Sequence, residues 1–263
     1  MNLTKIIGEE YAQAEEIKIA KAQTVPFDER MIKVYEEFLK LAAQNAVKHH
    51  LRIARRIIQT AKINYSSEHI TILCGYLSKY EEDNSFESTG DFLSELINIH
   101  YEQTQYSGKY IIFLKDIQTE IENLGSENNG ADILVIGNVG DHLASKMFAG
   151  KITVEGNAKS SVGYEMRGGT VSVKNAKNLV GSHMKNGKLY LKEAEEISDK
   201  FIGGEIHISQ GTVFIPYSFD STCTGKIFLL EKDIMSEIKE KQHEKENHLF
   251  AGKIYSVEEC KET

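Results

Sequence analysis

One phrase recurs in the second half of the chain and limits what it can fold into. Gly150-Lys-Ile-Thr-Val, Gly169-Thr-Val-Ser-Val, Gly187-Lys-Leu-Tyr-Leu and Gly204-Glu-Ile-His-Ile are the same unit written four times. The steps are 169 − 150 = 19, 187 − 169 = 18 and 204 − 187 = 17 residues. Self-similarity at such a period means stacked units, each burying a face against the next. One strand per unit, with no room for a crossover helix, makes the units coils rather than βαβ elements.

The residues around each glycine keep register too. Met147, Met166, Met184 and Phe201 stand three residues ahead of the four glycines, and Leu143, Val162, Val180 and Ile197 four residues ahead of those. After the glycine, Ile152/Val154, Val171/Val173, Leu189/Leu191 and Ile206/Ile208 alternate with polar residues, which turns one side of each strand inward. Asn138, Asn157 and Asn175 precede the first three glycines by twelve residues. Stacked amides bond up and down a ladder, so these predict an internal asparagine column at a corner, with Gly137 and Gly156 before it. Residues 131 to about 210 are therefore read as a single-chain parallel β-helix. Ala131–Ile136 gives an earlier strand, and Gly211–Ile215 and Gly225–Leu230 finish or cap the stack. Five coils at strand spacing span on the order of 24 Å.

Gly137-Asn-x-Gly140, Met147-x-x-Gly150, Gly156-Asn157, Gly163-x-x-Met166-x-Gly-Gly169 and Gly181-x-x-Met184-x-x-Gly187 resemble the GXGXG domain. That domain closes the large chain of glutamate synthase and also occurs within the formylmethanofuran dehydrogenase complex. The resemblance covers residues 131–210 and implies a β-helical scaffold, with the chemistry of those enzymes lying in other domains or chains.

The first half is patterned differently. Val25-Pro26 breaks the chain, and proline suits a helix start. Met31, Val34, Tyr35, Phe38, Leu41, Ala42, Ala46, Ile53 and Ile57 make a helical stripe, predicting one long helix from Phe27 to about Lys62. A second helix starts at Ser66-Ser67 and a third at Thr89-Gly-Asp91. Tyr110–Leu114 fits either a buried strand or a helix start, and Ile117, Ile121 and Leu124 resume a weak helical period. Gly125-Ser-Glu-Asn-Asn-Gly130 reads as a domain linker. Lys232 to about His248 reads as a charged helix covering the solenoid end. The fold class is thus α+β: a helical domain (1–126), a parallel β-helix domain (127–230) and a C-terminal helix and tail (231–263).

Signals of chemistry are sparse. There is no Walker loop, HExxH, GxSxG or Rossmann fingerprint. The glycines recur ahead of strands rather than opening a helix, which assigns them to corners and not to a phosphate loop. Cys74, Cys223 and Cys260 form no CxxC pair, which argues against a disulfide framework and against cysteine-held zinc or iron–sulfur. His49-His50 are helical neighbours pointing apart, and His183 and His207 fall in outward columns. No catalytic, cofactor or metal site is assigned. Net charge is −8, which disfavours nucleic-acid binding by the surface as a whole. Against that background Lys48, Arg52, Arg55, Arg56 and Lys62 share one helix side. They are the candidate contact for an acidic partner, phosphates or a ribonucleoprotein; the alternative is a solvated or internally paired face. The expectation is a non-catalytic interaction or scaffold protein that binds a protein partner or itself and needs no cofactor. The alternatives are an accessory component of a glutamate synthase-like or formylmethanofuran dehydrogenase-like complex, or a ribonucleoprotein-binding factor. With no signal-like apolar stretch, the expected setting is the cytoplasm, away from membranes.

Overall fold

A computed structural model describes residues 27–44, 49–211, 213–216 and 223–229, and the backbone of Lys253–Ser256. Among the described residues four α-helices precede the strands: α1 (Arg30–Gln44), α2 (His50–Ala61), α3 (Ser67–Cys74) and α4 (Thr89–Thr104). Eight strands follow: β1 (Lys109–Phe113), β2 (Asn129–Ile136), β3 (Ala149–Val154), β4 (Thr170–Ala176), β5 (Lys188–Ala194), β6 (Glu205–Ile208), β7 (Lys226–Leu229) and β8 (Lys253–Ser256). They pair in chain order, each neighbour parallel, as only a solenoid allows with such short connections. The fold is α+β with a parallel β-helix. The expected C-terminal helix over 232–248 lies outside the described residues.

The repeat explains the register. Tyr110, Ile133, Ile152, Val171, Leu189, Ile206 and Ile227 pair across successive strands. All are at most 2% exposed, and so are Met147, Met166, Met184 and Phe201. Each buried aliphatic contributes about 1.5–3 kcal/mol of transfer free energy. The methionines also account for the glycines. A Cβ on Gly169 would stand 2.5 Å from the Met147 Cε, one on Gly187 2.7 Å from the Met166 Cε, and one on Gly204 2.6 Å from the Met184 Cε. Each methyl fills the space its neighbouring coil leaves bare, so the two columns are one packing device.

The asparagine ladder forms, but on the outside. The Asn157 amide N–H donates to Asn138 Oδ1 (2.9 Å) and Asn175 Nδ2 to Asn157 Oδ1 (2.8 Å), while Asn138 and Asn157 are exposed. The interior at this corner is filled instead by the next residues, Val139 and Ala158, which form their own bridge.

Four expectations change in the first half. The single long helix is two helices, because His49 adopts φ 99° and a left-handed residue cannot continue a right-handed helix. Tyr110–Leu114 resolves as strand β1 and its following residue, so the sheet begins upstream of the 126/127 boundary. The Thr71 hydroxyl on α3 donates to the Ile111 carbonyl (2.9 Å), meeting a backbone acceptor of this edge strand. Ile117, Ile121 and Leu124 belong to no helix. The 125–130 segment is not a linker but the corner of a coil: the Asn123, Ala144 and Glu127 amides bond Asp141, Leu124 and Ser145 carbonyls of adjacent coils. Downstream, among the described residues of the 211–215 stretch Phe214 forms a bridge to Glu196 and no sheet strand, and β7 stands where a finishing strand was expected.

The helices and the solenoid share one hydrophobic core. Helix α4 joins them: every residue from Thr89 to His100 is buried. Its polar residues meet the first coil. The Gly125 amide donates to Ser94 Oγ (2.8 Å), and Asn98 Nδ2 donates to the Ser126 carbonyl (3.1 Å). A Cβ on Gly90 would lie 1.9 Å from the Glu122 carbonyl oxygen, so backbone touches backbone at this junction.

Candidate functional site: a charged cleft where helices meet the first coils

Each of the first coils turns a corner on three left-handed residues at alternate positions. They are Asn123, Gly125 and Glu127, then His142, Ala144 and Lys146, then Ser161, Gly163 and Glu165, then Leu179, Gly181 and His183, with φ between 52° and 75°. Nine of these twelve are not glycine, and each such residue costs on the order of 1 kcal/mol. Only stacking over-determines such geometry, and strained backbone often marks a working surface. The last left-handed residue of each corner forms a column, Glu127, Lys146, Glu165, His183, with charge of both signs among the coils.

The first two members of that column face the helices across a cleft of about 760 Å³. Helix α2 contributes His50, Arg52 and Arg55, with His49 just before it. Helix α4 contributes Asp91 and Glu95, and the corner contributes Asn123, Glu127 and Lys146. Asp91 and Glu95 are one helical turn apart, on the same side of α4. Both are buried, at 6% and 2% exposure. Arg55 Nε donates to Glu95 Oε2 (2.6 Å), and its two terminal nitrogens grip the Glu102 carboxylate at 2.9 and 3.1 Å. Asn123 Nδ2 donates to Asp91 Oδ2 (3.1 Å). Burial, opposed by that bond and reinforced by the Glu122, Glu95 and Glu127 charges, pushes the Asp91 carboxyl up to about 7. Burial also raises Glu95, against the pull of Arg55.

The raised Asp91 value has a sign that can be tested. The folded chain binds a proton there that the unfolded chain, near 3.8, has released. The stabilising contribution is therefore present below about pH 4 and is lost as pH rises through about 7. At about 1.4 kcal/mol per pH unit, the loss between pH 5 and pH 8 is about 2–3 kcal/mol. Asp91→Asn is expected to remove it, so that in urea titrations the variant gains on the wild type by that amount across this range. Parallel stability curves would place Asp91 in an ordinary solvated environment.

The basic residues separate. Arg52, Arg56 and Lys62 are exposed, Arg52 on the rim of the cleft. Arg55 is corrected from a partner contact to an intramolecular tether, since α2 packs against α4 and two carboxylates there neutralise it. Lys48 lies outside the described residues. His49 and His50 are not consecutive residues inside a helix: His49 caps α2 in the left-handed region, and both line the cleft. His207 does sit in its outward column, stacked between Tyr190 and Phe228 with ring centroids 4.6 and 4.4 Å away. Among the described residues no cluster of three His, Cys, Asp or Glu could hold a metal ion, and Cys74 and Cys223 are buried. No described helix is long and apolar enough to cross a membrane.

Asp91, Glu95, Glu127 and Lys146 were not legible as a site. One signal was available: α4 is apolar at Phe92, Leu93, Leu96, Ile97 and Ile99, too wide an arc for a surface helix, so its acids had to be buried as well. The chain thus belongs to the class of parallel β-solenoids carrying a docked helical layer. No family model, curated protein or solved structure matches it.

Proposed function

We propose that this protein is a non-catalytic scaffold, a β-solenoid platform whose helical layer recognises a partner. The observation that carries the reading is the buried helix α4, which fastens the recognition helices to the first coil through backbone contact at Gly90 and polar bonds at Ser94 and Asn98. A helical layer held this way has little freedom to reorganise, which suits presenting a fixed surface. The spacing of Met, Asn and Gly supports the same reading by its similarity to the GXGXG domain, a scaffold in the enzymes that contain it. The exposed Arg56 and Lys62, with Arg52 beside them, would supply the contact to an acidic protein partner. Arg55, being neutralised, adds little to a polyanion site, which weighs against the ribonucleoprotein alternative.

The test is tagged-protein capture from the native source with an Arg56→Glu, Lys62→Glu double variant as control. A protein partner held by the wild type, released as salt rises and lost from the variant is the expected result. Equal recovery with both forms, or release by ribonuclease, would overturn the reading.

A further inference from the structure

The junction cleft is lined by charges of both signs, and some of them have bonding capacity left over. On α4 Asp91 is nearly fully buried, yet among the described residues one hydrogen bond reaches its carboxylate, from Asn123 to Oδ2. Glu95 is similar: Arg55 occupies Oε2. The remaining Asp91 oxygen is open to the cleft and can accept a ligand N–H. Arg52 and Lys146 also line the cleft, and among the described residues neither is within ion-pair distance of a carboxylate. The volume of about 760 Å³ is within the usual range of about 300–1,000 Å³ for small-molecule pockets.

We propose that the cleft binds a zwitterion of the amino-acid or short-peptide class, its ammonium against Asp91 and its carboxylate against Arg52 and Lys146. An ammonium group brings three donors to Asp91, where Asn123 leaves one carboxylate oxygen open. A carboxylate accepts the fork of a guanidinium, which Arg52 has not spent on a protein partner. A ligand with one pole alone makes only part of these bonds, so the site favours ligands that carry both. Glu127 and Lys146 are held by the left-handed corner, which fixes their position before anything binds. This inference goes beyond the partner reading and does not depend on it: the two share Arg52, but Arg56 and Lys62 are not among the cleft residues.

The experiment is thermal unfolding and calorimetry of the full chain against each of the twenty common L-amino acids and tri-alanine. Tri-alanine acetylated at its amine or amidated at its carboxylate, and the matching blocked forms of any amino acid that binds, remove one pole at a time. At least one free zwitterion should raise the melting temperature by about 5–10 °C at a hundredfold excess over its Kd. Response to a free amino acid assigns that class, and response to tri-alanine alone assigns a peptide. Either blocked form should lose the effect. Asp91→Asn and Arg52→Gln should each weaken binding at least about tenfold while both variants still melt cooperatively. Failure of all twenty-one probes, equal binding of a singly blocked form, or unchanged affinity in both variants would overturn the proposal.

Discussion

Met166→Asp is expected to abolish cooperative folding of the solenoid. The Met166 side chain has no exposure, and its methyl packs where Gly187 leaves room for it. Aspartate there leaves a charge in the buried core of the solenoid, or forces a proton onto it, and also empties the volume of the methyl. An unpaired buried charge costs several kcal/mol after relaxation, and a domain of this size has only about 5–15 kcal/mol in all. Because each coil rests only on its neighbours, a failure in the central coil separates the two ends of the stack. Circular dichroism and a thermal melt decide it: loss of the sheet signal or of a single transition is expected. A soluble, cooperatively melting Met166→Asp protein would show that the inward and outward sides are assigned the wrong way round.

The second large effect belongs to Gly90. An added Cβ would stand 1.9 Å from the Glu122 carbonyl oxygen and 2.9 Å from the Ile121 Cγ2. The nearest obstacle is backbone, so no side-chain rotation relieves it. Gly90→Ala must therefore push α4 off the first coil, stretching the Ser94 and Asn98 bonds and opening the cleft. In an ordinary helix interior this substitution stabilises by up to about 1 kcal/mol. Here it is expected to destabilise by about 3 kcal/mol or more, as overpacking does. A rise in the urea midpoint would show that α4 and the coil are only loosely apposed.

What the sequence disclosed followed from how each feature is encoded. The strands were legible because Ile152, Val171, Leu189 and Ile206 repeat with period two inside a period near eighteen. The glycine–methionine coupling was visible as two fixed columns, though not as one contact. The first coil was hidden because its corner residues Asn123, Gly125 and Glu127 carry no strand pattern and look like linker chemistry. Their likeness to His142, Ala144 and Lys146 is one of backbone angle rather than residue type. The break at His49 left no proline or glycine to announce it, so α1 and α2 read as one helix. The cleft was hidden for a further reason. Asp91 and Glu95 sit on α4, Arg52 on α2 and Lys146 on the second coil, and only the docking of α4 brings them together.

That docking is the central claim, and native-state amide hydrogen exchange tests it most directly. Protection of α4 over Thr89–Thr104 and of strands β2 to β5 should be lost together, in one opening of the same free energy, because they share a core and interlocking backbone. Gly90→Ala should lower both protections in step. Exchange of α4 at a much lower opening free energy than the strands, unaffected by Gly90→Ala, would contradict the account and leave the helices as a separate layer.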